Sequence, residues 1–118
     1  MEIKLYHNPA WSKSRESVMI LKRENRIFDI ISYCKEGLSI KTINTILEKT
    51  KIEPIDLIRK QDKIFINLKL SNAQLCDNEF LVSIISKYPK IMERPIILNK
   101  DKGVIGRPPE NIYTILWI

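Results

Sequence analysis

The sequence predicts an α/β domain with a four-stranded mixed sheet and a helical insertion between strands two and three. Three observations carry this prediction. Ile3 to Tyr6 and Ile27 to Tyr33 are β-rich stretches flanking an amphipathic segment, which makes a βαβ unit with parallel strands. Residues 38–88 carry apolar side chains at helical spacing. Residues 94–105 then read as two short strands joined by a polar turn, a hairpin.

The elements follow in order. After the first strand, Asn8-Pro9 breaks the chain, because proline lacks the N–H and restricts the residue before it. A helix is expected over 14–26, with Ser12 and Ser14 as candidate caps and Val18, Met19 and Leu21 facing inward. Lys22, Arg23 and Arg26 suit the negative end of its dipole, and Asn25 tolerates the left-handed conformation that ends helices. Cys34 lies just past strand two, at the same sheet edge as Trp11. Ser39 caps a helix carrying Ile40, Ile43, Ile46 and Leu47. Pro54 opens a short helix that Arg59 ends. A further short helix is expected over 64–70, and a loop over 72–78. Asp77 caps a helix with Phe80, Leu81, Ile84, Ile85 and Tyr88, which Pro89 stops. Strands over 94–98 and 103–105 precede a last helix holding Ile112, Ile115 and Leu116.

The chain has 118 residues and 44% hydrophobic content, enough for a single domain over 1–118 with one core. It lacks an apolar run of the roughly 20 residues that span a bilayer, and no signal peptide is read before the first strand. A cytoplasmic monomer is expected, without membrane association. The net charge of +6 favours anionic partners, but the lysines are scattered, which argues against a nucleic-acid groove. Two cysteines, Cys34 and Cys76, are too few for a disulfide scaffold, and one histidine argues against a metal site. No bound cofactor is expected.

The stretch His7-Asn8-Pro9-Ala10-Trp11-Ser12-Lys13-Ser14-Arg15 is the most informative. A strand feeding a tight loop and then a helix N-terminus is a ready anion site. The stretch resembles the active-site loop of the glutaredoxin-coupled arsenate reductase family, a branch of the thioredoxin-like fold, which reads roughly His-Asn-Pro-x-Cys-Ser-x-Ser-Arg. Leu57-Ile58-Arg59, Met92-Glu93-Arg94-Pro95-Ile96 and Val104-Ile105-Gly106-Arg107-Pro108-Pro109-Glu110 resemble further family blocks. The resemblance spans nearly the whole chain. It implies a thioredoxin-like fold, with Pro95 as the cis proline facing the loop of helix one.

The resemblance also implies an activity, the reduction of arsenate to arsenite with glutathione and glutaredoxin as co-substrates. Where the family carries its nucleophilic cysteine, this chain has Trp11. An indole neither ionises at neutral pH nor forms the thiolate–arsenic adduct, so the chain is expected not to reduce arsenate by that route. The oxyanion set that the resemblance implies is Arg59, Arg94 and Arg107, with Ser12, Ser14 and Arg15 at the helix terminus. A guanidinium fork suits a tetrahedral oxyanion such as arsenate, phosphate or sulfate, whereas lysine offers a point charge. The competing reading pairs these arginines with acids such as Glu93 and Glu110.

His7 reads equally as support for the loop or as a histidine satisfied by backbone. Ser12 and Ser14 read as caps rather than nucleophiles. Three accounts of Trp11 stand side by side. The chain has lost catalysis and now binds an anion or a protein; or another thiol has taken over, Cys34 before Cys76; or Trp11 is peculiar to this sequence within an ordinary reductase. Cys34 also reads as a small buried apolar residue. Spx-like transcription regulators share the fold, but they carry Cys-x-x-Cys where this chain has Trp11-Ser12-Lys13-Ser14.

Overall fold

The structure is a computed structural model that describes residues 3–8 and 10–117. The expected break at Pro9 lies outside the described residues. The elements are β1 (Ile3–Tyr6), α1 (Ser12–Arg23), β2 (Phe28–Ile31), α2 (Tyr33–Glu36), α3 (Ile40–Thr50), α4 (Lys63–Leu68), α5 (Asn72–Leu75), α6 (Asn78–Lys87), β3 (Ile96–Asn99) and β4 (Lys102–Ile105). Short 3₁₀ turns cover Pro54–Leu57, Pro89–Ile91 and Pro109–Thr114.

The sheet order is β2-β1-β3-β4. β1 pairs parallel with β2 and antiparallel with β3, and β3 pairs antiparallel with β4. This is the thioredoxin-like α/β arrangement, with helices α2 to α6 inserted between β2 and β3. The period of two along each strand divides the core between the two faces. Ile3 and Leu5 of β1 and Ile97 of β3 pack with Ile20, Leu21, Ile112, Ile115 and Leu116. Tyr6, Ile96 and Leu98 point the other way, into the larger cluster built around Ile43, Ile46, Leu81 and Ile85.

Several expected boundaries move. α1 starts at Ser12 and ends at Arg23, and its N-cap is Trp11, with no side-chain cap. Ser14 is instead fully buried, its Oγ accepting from the Asn8 backbone N–H at 3.4 Å. The inward face of α1 is Ser14, Ser17, Ile20 and Leu21, while Met19 is 68% exposed. Two buried serines there let the helix approach the sheet closely. The second strand is shorter than expected, because Tyr33 already begins the helical turn that carries Cys34. The expected loop over 72–78 contains α5, started by a reciprocal capping box between Ser71 and Gln74. The last expected helix is a 3₁₀ turn, though Ile112, Ile115 and Leu116 are buried as expected. Asn25 takes a left-handed φ of 57° just past α1, and Ser39 and Asp77 cap α3 and α6.

Two contacts hold the C-terminal blocks in place. Gly106 donates its N–H to the Pro95 carbonyl at 2.8 Å. A Cβ there would meet Ile97 Cδ1 and Pro95 Cγ at 2.9 Å, so the glycine allows this close approach. Asn99, 1% exposed, donates from Nδ2 to the Ile115 carbonyl at 2.7 Å and to that of Leu116 at 3.3 Å. Asn99→Ala leaves the Ile115 carbonyl without its side-chain donor, while the Leu116 carbonyl keeps Arg26 Nη1. It should cost about 1–3 kcal/mol in a denaturant titration, with amides of the 109–116 segment losing exchange protection first. An unchanged midpoint would show that the link is dispensable.

Candidate functional site

The loop after β1, the N-terminus of α1, the start of α2 and the segment before β3 meet at one edge of the sheet. Parallel pairing brings the ends of β1 and β2 to that edge, so the loop holding Trp11 and the turn holding Cys34 are neighbours. The 3₁₀ turn Pro54–Leu57 leads into an isolated bridge between Ile58 and Met92. Arg59 N–H donates to the Ile91 carbonyl and Glu93 N–H to that of Leu57, both at 2.7 Å. The bridge therefore sets Arg59 beside the segment Glu93-Arg94-Pro95 that leads into β3. The Arg94–Pro95 peptide is cis, as is Arg107–Pro108.

Trp11 lies over Arg94. The guanidinium carbon is 3.3 Å from the centre of the Trp11 ring, a cation–π contact. Arg94 is only 8% exposed and donates from Nη1 to the Lys90 carbonyl at 3.4 Å. Among the described residues no carboxylate lies within ion-pair distance of it. Burial and then the neighbouring Arg59 push its pKa down. Arg59 itself is paired, with Asp62 at 3.9 Å and Glu93 at 3.7 Å. Pairing with Glu93 thus falls to Arg59, while the buried Arg94 has an aromatic face instead.

Tyr33 completes the cluster and was missed in the sequence. Its ring is tilted at 50° to Trp11 with centroids 6.4 Å apart, and its side chain is fully buried. The hydroxyl has no hydrogen-bond partner among the described residues. Burial drives its pKa far up, Cys34 adds to this, and Arg94 and Arg59 pull against it. It is therefore a neutral O–H donor close to two guanidinium groups. The available signal was its place, an aromatic hydroxyl directly before Cys34 at the end of strand two.

The other candidates separate. Arg107 is exposed and lines a cleft of about 360 Å³ with Thr50, Ile52, Glu93 and Asn111, away from the Trp11–Arg94 pair. Ser12 and Arg15 lie exposed in the first turn of α1. Cys34 is exposed rather than buried, because it stands on the outer side of the short turn α2. Its thiol pKa is nevertheless raised by local desolvation, against the opposing effects of Asn8, Arg94 and Lys90. That favours the thiol over the thiolate and weakens the case for Cys34 as a nucleophile. Cys76 is exposed at the end of α5. Among the described residues no group of three or more His, Cys, Asp or Glu could hold a metal ion. Among them, too, no helix is long and apolar enough to cross a membrane.

His7 is buried, its backbone N–H donating to the Ile31 carbonyl at 3.0 Å and its Nδ1 without a partner among the described residues. Burial lowers its pKa. Above the ordinary value of about 6.5 it is neutral both folded and unfolded and adds no pH dependence. Below that value the unfolded chain takes the proton more readily, so stability falls as pH drops. The melting midpoint should fall between pH 6.5 and pH 5 in the native protein and stay flatter in His7→Gln. Parallel curves would show that His7 is not held neutral by burial.

Comparison with known proteins identifies the family. The family model described as the ArsC family matches residues 6–115. The arsenate reductase of Haemophilus influenzae is 36% identical over 117 residues, covering 98% of this chain and all of the relative. A solved arsenate reductase from Vibrio cholerae superposes with a TM-score of 0.91 at 28% identity, covering 98% of each chain. At greater distance, the global transcriptional regulator Spx of Streptococcus mutans is 27% identical over 114 residues, covering 97% of this chain and 82% of the regulator. The chain belongs to the ArsC family, which arsenate reductases and Spx regulators share.

Proposed function

We propose that this chain is an arsenate reductase-family protein that keeps an oxyanion pocket and does not reduce arsenate by the family's route. The observation that carries the reading is Arg94, a buried cation without a carboxylate partner among the described residues. A buried charge is costly unless it is paired. The indole of Trp11 lies against the guanidinium and the Lys90 carbonyl takes one Nη1 hydrogen bond, which leaves the other N–H groups for an anion. Arsenate, phosphate or sulfate fits those donors, with Arg59 supplying further positive charge and the first turn of α1, from Ser12 to Arg15, nearby. Arg107 joins this set only if its side chain swings across from its own cleft.

Trp11 sets the chemical limit. Attack on arsenic needs a thiolate at the start of α1, and an indole forms no such adduct. The chain is an oxidoreductase by resemblance alone, with glutathione and glutaredoxin as co-substrates for an active relative. A second reading, a protein-binding module, draws support from the Spx regulator among the relatives and from the aromatic cover over Arg94.

Two measurements test the proposal. Sulfate or arsenate at millimolar concentration should raise the melting midpoint, because a ligand of the folded state stabilises it. The rise should disappear in Arg94→Met; a native protein insensitive to both anions would leave the protein-binding reading in place. In an assay with glutathione and glutaredoxin, Trp11→Cys should reduce arsenate while the native chain does not. Turnover by the native chain would contradict the proposal and make Cys34→Ser the next variant.

A further inference from the structure

Beside the Trp11–Arg94 pair lies a cleft of about 540 Å³ that the oxyanion reading leaves unused. Its apolar walls are Trp11, Ile64, Tyr88 and Pro89, and its charged rim is Lys87 and Lys90. Asn8 and the Cys34 thiol complete it. The volume lies within the range of small-molecule sites, roughly 300–1,000 Å³. Among the described residues no Asp or Glu lines it, whereas three further clefts each carry at least one glutamate: Glu36 in one, Glu16 and Glu110 in another, Glu93 in the third.

The cations of this cleft are placed. Lys87 Nζ sits over the Tyr88 ring, 5.5 Å from its centre. The Lys90 carbonyl holds Arg94, so residue 90 is anchored where its side chain joins the rim. Arg94, beneath Trp11, adds positive potential behind the wall. Aromatic and apolar walls with a cationic rim, free of carboxylates among the described residues, complement one kind of ligand.

We propose that this cleft binds an organic anion with a planar aromatic body, the ring against Trp11, Tyr88 and Ile64 and the anionic head at Lys87 and Lys90. The ligand differs from an inorganic oxyanion in needing both parts. The inference does not rest on the Arg94 reading, because the two sites have separate reporters: sulfate-dependent melting for Arg94, and the Cys34 thiol for the cleft.

The probe is phenyl phosphate. Cys34 and Cys76 are both exposed, and only Cys34 lines the cleft, so Cys76 serves as an internal reference. Alkylation of the native protein by N-ethylmaleimide, resolved by peptide mass mapping, should slow at least several-fold at Cys34 in millimolar phenyl phosphate. The rate at Cys76 should not change. Inorganic phosphate or phenol should protect Cys34 far less, and the exposed-site variants Lys87→Glu and Lys90→Glu should lose the protection. Quenching of Trp11 fluorescence by phenyl phosphate in Trp117→Phe is an independent readout of the same event. No protection and no quenching overturn the proposal. Equal protection by phosphate removes the role of the ring, and equal protection by phenol removes that of the cations; either also overturns it. A sulfate-induced rise in melting with no Cys34 protection rejects this cleft and leaves the Arg94 reading intact, and the converse separates them the other way.

Discussion

The site depends on a charged group placed where water is largely excluded, with no carboxylate within ion-pair distance of it among the described residues. Arg94 meets that constraint with the ring of Trp11, 3.3 Å from its guanidinium carbon, and with one hydrogen bond to a backbone carbonyl. A desolvated cation–π contact contributes about 2 kcal/mol, less than the desolvation of an unpaired charge. The remaining deficit is the physical reason to expect an anion. The rest of the edge is arranged around this pair. The bridge between Ile58 and Met92 positions Arg59, the glycine at 106 lets the cis-proline loop close against α1, and the buried Tyr33 ring lies tilted against the indole.

Much of the fold was legible because its signals are local. The alternation in Ile3 to Leu5 and Ile96 to Leu98 sorts side chains to two faces, and Ser39 and Asp77 act as caps where the sequence put them. Other features depend on distant contacts. Nothing within helix α1 says that Ser14 and Ser17 face inward and Met19 outward; that follows from how closely the helix lies on the sheet. The capping pair Ser71 and Gln74 was visible, but without an apolar run behind it the segment read as loop. The exposed Cys34 follows from a helical turn that starts one residue after a short strand.

The site was legible in its residue types and only partly in its grouping. Arg59 and Arg94 do converge, yet they differ in state: Arg59 is held by Asp62 and Glu93, and Arg94 by an aromatic ring. Arg107 stands apart, exposed in a separate cleft that Glu93 also lines. Tyr33 had no motif to announce it, since its importance comes from a buried hydroxyl near two guanidinium groups. The Lys87–Lys90 cleft was invisible for a similar reason, as it joins a helix end to a loop more than seventy residues earlier.

The central claim is that Trp11 and Arg94 form one energetic unit at the N-terminus of α1. A double-mutant cycle tests it most directly, using urea unfolding of the native chain, Trp11→Ala, Arg94→Met and the double variant. Methionine keeps the length of the side chain and removes its charge. The account predicts a favourable coupling of about 1–2 kcal/mol, the range of a desolvated cation–π pair. Additive effects within about 0.3 kcal/mol would contradict it, leaving Arg94 held by its surroundings rather than by the indole.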